Sequence, residues 1–306
     1  MIDPVTLVVA LVAASTPILL AAIGELVVEK SGVLNLGVEG MMIMGAVCGF
    51  AVAVNTGSPW LGFLGGMLGG AAISMIFAFL TQVLLSNQVA TGLALTLFGL
   101  GLSSLIGEGY AGINPPLTPN LFPQDWREIP VFGPIFLSYD IIIYFSILLV
   151  GAVWFFLYRT RAGLTLRAVG ESHDAAHALG YKVIRIRFMA IGFGGACAGL
   201  GGAYLSLVRV PSWTEGMTAG AGWIALALVV FASWKPWRTL IGAYLFGGIA
   251  ALQLRLQAAE ISVPVWLLDS SPYIVTIIVL VIISSDKTRS ALNAPAALGR
   301  VFHSTR

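Results

Sequence analysis

The chain has 306 residues, 58% of them hydrophobic and 10% charged, with a mean hydropathy of +0.93. A soluble globular domain carries about 25% charged residues, so this composition excludes a water-soluble particle and points to a bilayer. A net charge of +2 with no basic block excludes a nucleic-acid-binding tail, and the long Leu-, Ile-, Val-, Gly- and Ala-rich runs read as helices, not alternating barrel strands.

The opening MIDPVTLVVALVAASTPILL has no basic leader, and its apolar stretch continues past the small residues Ala13 to Ser15. It reads as a first membrane helix over 5–24, not a cleaved signal. The second span, 33–54, holds Asn35 and Glu39 among glycines. Their spacing of four places both on one helix face. Polar groups in hydrocarbon are costly unless they meet a cavity or a partner. Two readings stay open: a broken or re-entrant helix at the mouth of a path, or a tie between Glu39 and a base such as Lys30 or Arg187. Spans 60–85 and 88–109 follow. Gly62, Gly66 and Gly70 form a small-residue stripe suited to close helix packing. Asn87 and Thr91 open the fourth span, either as caps or as gate residues.

Segment 110–138 is rich in proline and carries Trp126, and two readings stay open for it, an outer surface where a delivery protein docks or a plain linker. A fifth span covers 139–158. A sixth, 188–207, carries a second stripe at Gly195 and Gly199. The seventh, 216–234, is entered by Trp213 and Glu215 and interrupted over Gly216 to Gly222. Spans 239–256 and 272–285 and a tail, 286–306, complete the chain. Cys48 and Cys197 lie in apolar runs and read as small buried hydrophobes.

The expected fold is thus an all-α polytopic membrane protein of nine transmembrane helices in a single domain, 1–306. Lys and Arg cluster most strongly in loop 159–187, which places that loop in the cytoplasm. Counting from it puts the N-terminus outside and the C-terminus inside. Spans two to four and seven to nine then form inverted three-helix groups, each beginning with a broken segment. Paired broken segments in inverted halves point to a transport pathway. The pathway candidates are Asn35, Glu39, Asn87, Thr91 and Glu215.

Loop 159–187 holds a short helix, Ser172 to Leu179, with Ser172 as its cap, Asp174 in its first turn and Gly180 as its left-handed end. A rod of two turns is not stable alone in water, so it needs a surface to dock against. The pattern Gly170-Glu171-Ser172, Ala175-Ala176, Leu179-Gly180 resembles the coupling loop of ABC importer permeases of the branched-chain amino acid and ribose-type family. EKSGVLNLGVEGMMIMGA (29–46) and NQVATGLALTLFGLGLS (87–103) resemble signatures of its simple-sugar and nucleoside branch.

That resemblance implies a permease subunit in a bacterial inner membrane, importing a nucleoside or simple-sugar-type solute. It implies two cytoplasmic ATPase subunits that carry ATP and Mg, a second permease subunit, with a heterodimer favoured over a homodimer, and a periplasmic or lipid-anchored binding protein. Gly170, Glu171, Ser172, His173, Asp174, Ala175, Ala176, His177, Leu179 and Gly180 become the coupling residues, and Ala176→Arg is expected to block docking without unfolding the chain.

No cofactor is expected in this chain. The nearest approach to a phosphate-binding loop, GELVVEKS from Gly24, has Glu29 where the second glycine belongs. His173 and His177 are spaced like a metal pair but lack a third ligand, so a pair facing a partner is the preferred reading. The competing function is a proton-coupled secondary transporter working through Glu39 or Glu25.

Overall fold

The computed structural model describes residues 4–258 and 293–303, with positions 270, 274, 277, 278 and 281 between them. Among the described residues the chain is all-helical, with one isolated bridge between Asn120 and Asp140. Six helices are long and apolar enough to cross a membrane. They are α1 (Pro4–Lys30), α2 (Val38–Thr56), α3 (Pro59–Ala78, extended by a π-turn to Val83), α4 (Gln88–Gly107, extended to Tyr110), α6 (Ile141–Arg159) and α9 (Val183–Tyr204, extended to Arg209). Between α4 and α6 lies the four-residue α5 (Gln124–Arg127). After α6 come the loop helices α7 (Arg161–Glu171) and α8 (His173–Ala178), and after α9 come α10 (Ala221–Phe231) and α11 (Pro236–Ala258).

The first and seventh expected spans differ most. The first runs on to Lys30, and every residue from Ser15 to Lys30 is buried, so α1 is the central post of the bundle. The seventh shrinks to the 11 residues of α10, about 16 Å of helix against a hydrocarbon core of roughly 30 Å. The cause is local: Gly216, Ala219 and Gly220 adopt positive φ just before it, and no α-helix passes through such a run. The eighth lies within α11. The ninth, 272–285, falls mostly outside the described residues.

Both glycine stripes meet, as the spacing suggested. α9 packs along α1, α2 and α3, and Gly66 and Gly70 of α3 face Gly195 and Gly199 of α9, with Gly45 of α2 closing the same seam. A β-carbon on Gly66 would lie 2.9 Å from the Gly45 carbonyl and 3.0 Å from that of Gly199. Backbones therefore touch backbones, and close van der Waals contact replaces the hydrophobic drive that lipid removes. Gly199→Val must push two helices apart, whereas Gly151 on α6 has nothing within 4 Å of its added carbon. We expect Gly199→Val to abolish monodisperse folded protein in detergent. Gly151→Ala should leave the thermal midpoint unchanged or raise it, since alanine outranks glycine in a helix by about 1 kcal/mol.

The start of α6 is fixed by Asp140, whose carboxylate accepts the Ile142 and Ile143 N–H groups at 2.9 and 3.2 Å. Its other oxygen accepts the Tyr204 hydroxyl of α9 at 3.1 Å, tying the cap to the core.

Candidate functional site: a carboxylate junction and a coupling face

Residues 31–37, SGVLNLG, are not helical. Gly32 turns the chain at φ 86°. Asn35 accepts the Gly37 N–H at 2.9 Å and donates to a Glu25 oxygen of α1 at 3.4 Å. Its side chain thus competes with helix for the backbone. The stretch is satisfied from α4: Gln88 accepts the Leu34 N–H at 2.8 Å, and the Thr96 hydroxyl donates to the Leu36 carbonyl at 3.2 Å. Asn35 therefore precedes α2 and shares no helix face with Glu39, which corrects the spacing argument.

Glu39 sits in the first turn of α2, 3% exposed. Its carboxylate accepts the Thr218 hydroxyl at 2.5 Å and the N–H groups of Gly220 and Gly222 at 2.9 and 2.7 Å. An acid at the exposed donors of a helix start is favourable twice, through hydrogen bonds and through the helix dipole. Glu39 thus clasps the beginning of α10 to the beginning of α2. The alternative tie to Lys30 or Arg187 is not made. Gly222 is required here, because a β-carbon on it would stand 2.6 Å from the Glu39 backbone.

The other pathway candidates lie apart. Asn87 caps α4 through the Ala90 N–H at 3.0 Å, and Thr91 pairs with Ser86 at 2.8 Å, both local bonds. Glu215 accepts the Ser104 hydroxyl at 2.7 Å. With Glu108 and Trp213 it lines a pocket of about 690 Å3 near the far end of α4. Gly40, next to Glu39, packs on Thr96, and Ser104 is eight residues further along α4, about 12 Å of helix. Glu215 and Glu39 thus mark two levels of one side of the bundle.

The candidate coupling face is built around α8. The Ser172 hydroxyl accepts the Ala175 N–H at 3.3 Å and Gly180 ends the turn at φ 85°, as the sequence suggested. Asp174, Ala175, His177 and Leu179 face outward, with Leu179 78% exposed. His173 and Ala176 face inward. Ala176 packs with Val169, Val183 and Phe302, so Ala176→Arg would disrupt the inner packing and is the wrong probe of docking. Both histidines touch the edge of the Phe302 ring, at 5.4 and 5.3 Å between centroids. His173 thus seats a part of this chain, which corrects its reading as turned toward a partner, while His177 meets the same ring from the exposed side of α8.

Segment 293–303 is stitched across this face. The Ala297 N–H donates to the Gly170 carbonyl at 2.9 Å, and the Ala296 N–H to Glu171 at 3.4 Å. The Gly299 N–H donates to the Gly32 carbonyl at 3.2 Å, and Lys30 donates to the Asn293 carbonyl at 2.8 Å. The segment therefore joins α8 to the irregular stretch that leads to Glu39.

Arg187 locks this arrangement. It was counted among the loop cations, yet it lies in α9 and is 0% exposed. Its guanidinium donates to the carbonyls of Ser31 at 3.3 Å and Arg300 at 3.2 Å and to Gln82 at 3.4 Å, and lies 3.4 Å from His173 Nδ1. Burial, and then the Arg187 charge, lower the His173 pKa from its usual value, against the opposing pull of Asp174. The ring therefore stays neutral and is able to accept from Arg187. A second buried contact, from the Trp234 indole N–H to Glu29, pins the turn after α10 to the end of α1. Sequence reasoning missed Thr218 and Trp234, whose partners lie far away along the chain, and offered Arg187 a partner, Glu39, that it does not meet.

The comparisons agree with this architecture. The profile of the branched-chain amino acid transport system permease component matches residues 7–284. The chain belongs to this family of ABC permeases. The permease is 46% identical over 257 residues to a Haloferax volcanii chain provisionally named glucose ABC transporter permease protein TsgC13, covering 83% of this chain and 78% of the relative. It is 33% identical over 296 residues to the guanosine ABC transporter permease protein NupQ of Bacillus subtilis, covering 91% and 90%. It is 31% identical over 281 residues to the nucleoside ABC transporter permease protein NupC of Lactococcus lactis, covering 87% and 88%. No solved structure matches the permease. With six apolar helices of spanning length, the permease is a multi-pass membrane protein.

Proposed function

We propose that this chain is the permease subunit of an ATP-driven importer for a nucleoside or simple-sugar-type solute, with ATP and Mg bound by a separate pair of cytoplasmic ATPase subunits. The names of the three relatives support the solute class, guanosine, nucleoside and glucose. The observation that carries the reading is α8: a capped two-turn helix fixed from behind by Phe302, with Ala175 and Leu179 turned outward and unpacked.

In this reading α8, Gly170 and segment 293–303 lie in the cytoplasm and the N-terminus outside. ATPase closure moves α8, and Gly170, segment 293–303 and Arg187 pass the displacement to residues 31–37 and so to Glu39. Asn35, Glu39, Asn87, Thr91 and Glu215 mark the path from the inner to the outer level. A binding protein delivers solute beside Glu215 and Glu108, and a second, related permease completes the pore. Nine spans as two inverted groups remain part of the proposal. The clasp between the starts of α2 and α10, counterpart members of the two groups, supports it. A proton-coupled transporter needs Glu39 free to exchange a proton, and three donors already occupy that carboxylate.

The test is affinity purification from native membranes in mild detergent, with mass spectrometry of the retained subunits. The expected result is an ATPase and a second permease. Ala175→Arg and Leu179→Asp, both on the outward face, should lose the ATPase and uptake while keeping the wild-type elution volume and thermal midpoint. Full retention of the ATPase by both variants would reject α8 as the docking element.

A further inference from the structure

A groove outside the junction and the coupling face runs between α6, α7 and α9, with Val27 of α1 at its floor. Its volume is about 500 Å3, within the range of ligand sites, roughly 300–1,000 Å3. Leu149, Phe156, Leu166, Met189 and Phe193 form its walls. The single side-chain hydroxyl among its lining residues, Thr165, is spent on the Arg161 carbonyl at 3.0 Å. Nothing inside the groove is able to hold a polar solute. Met189 is 59% exposed, so the groove opens sideways from the bundle.

Its lip has the opposite character. Arg161 is one helical turn before Thr165, Lys182 one turn before Ile186, and Arg185 one turn before Met189, so all three follow lining residues up the same helix faces. All three are exposed. Neighbouring Arg159 and Arg167 are committed to aromatic faces, over Trp154 at 5.9 Å and over Tyr158 at 5.1 Å. Among the described residues Arg161, Lys182 and Arg185 have neither a ring nor a carboxylate nor a side-chain hydrogen bond. Trp154 and Tyr158 are the aromatic types that collect at the headgroup level. An all-hydrocarbon cleft beneath three uncommitted cations matches a molecule with an acyl chain and an anionic head.

We infer that this groove is a binding site for an anionic glycerophospholipid, with one acyl chain between α6 and α9 and the headgroup phosphate held by Arg161, Lys182 and Arg185. Basic pockets between helices at a membrane surface select anionic heads by this chemistry. The inference needs only that the chain sits in a bilayer, so it stands or falls apart from the transport reading.

The test uses the full chain in nanodiscs made from equal parts of phosphatidylglycerol and phosphatidylcholine, followed by detergent extraction and native mass spectrometry of retained lipid. Wild type should retain phosphatidylglycerol in preference. Arg161→Gln/Lys182→Gln/Arg185→Gln should lower that preference at least about tenfold. Ala152→Phe, which fills the groove from its exposed rim, should also lose the retained lipid while keeping all three charges. Arg161→Lys/Lys182→Arg/Arg185→Lys should keep it. If neither the charge-removing nor the groove-filling variant changes retention, the lipid is annular only and the site is refuted. Loss with the first but not the second leaves a surface charge effect without a groove, which also refutes it. A disulfide from Met189→Cys to a second permease chain in native membranes would assign the groove to protein and overturn the inference.

Discussion

Glu39→Ala is expected to collapse the junction between α2 and α10 and to abolish uptake. The substitution removes the acceptor of a buried backbone N–H group, a part-buried one and one hydroxyl. Each buried donor left without a partner costs about 1–3 kcal/mol, so the Gly222 N–H and the Thr218 hydroxyl alone account for about 2–6 kcal/mol. Folded domains have about 5–15 kcal/mol in total. At about 2–4 °C per kcal/mol for a large domain, the thermal midpoint in detergent should fall by roughly 4–24 °C. Glu39→Gln separates shape from charge. Its amide oxygen still accepts from Thr218 or Gly220, but its NH2 group opposes another donor at Gly222, so an intermediate loss is expected. A wild-type midpoint in Glu39→Ala would show that α10 does not depend on the clasp.

Arg187→Met is expected to free segment 293–303 from the coupling face. Methionine fills part of the space but offers no donor, and it strands the carbonyls of Ser31 and Arg300. At about 1–3 kcal/mol for the buried Ser31 carbonyl and less for the part-buried Arg300 carbonyl, the loss is a few kcal/mol at the point where four segments meet. Arg187→Lys should not rescue it, because a single ammonium lacks the planar fork that reaches several acceptors at once. The measurement is limited proteolysis in detergent. Cleavage near Phe302 should become much faster in both variants, and ATPase activity of the assembled complex should no longer respond to solute. Protection equal to wild type would mean that Phe302 and the contacts to Gly170 and Gly32 hold the segment without the arginine.

What the sequence made legible was whatever depended on neighbours in the chain. The stripes at Gly62, Gly66 and Gly70 and at Gly195 and Gly199 convert directly into a close crossing, because a spacing of four on a helix has one geometric meaning. Ser172 and Gly180 bound α8 for equally local reasons. Asn35 misled because its spacing to Glu39 fits a helix, while its side chain bonds the Gly37 N–H and keeps the backbone out of one. Arg187 misled because a charge count assigns every loop-side cation to water, and the acceptors that bury it come from distant segments. The burial of Ala176 was invisible for the same reason: Phe302, which covers it, is remote in sequence. The grooved seat of the acyl chain likewise draws on helices that no local pattern brings together.

The backbone seam between α3 and α9 also divides the molecule mechanically. Helices usually slide past one another by small readjustments of the side chains between them. Along Gly66, Gly70, Gly195 and Gly199 the side chains that meet the seam are short, Ala203 and Ser74, and leave little to readjust. A shift of one turn would bring Ile73 or Ser74 toward a space shaped for glycine. α2, α3 and α9 therefore act as a stator, rigid in compression and in shear. Motion is left to the places where the backbone already departs from helix, residues 31–37 and 210–220, which are the two stretches that Glu39 holds together.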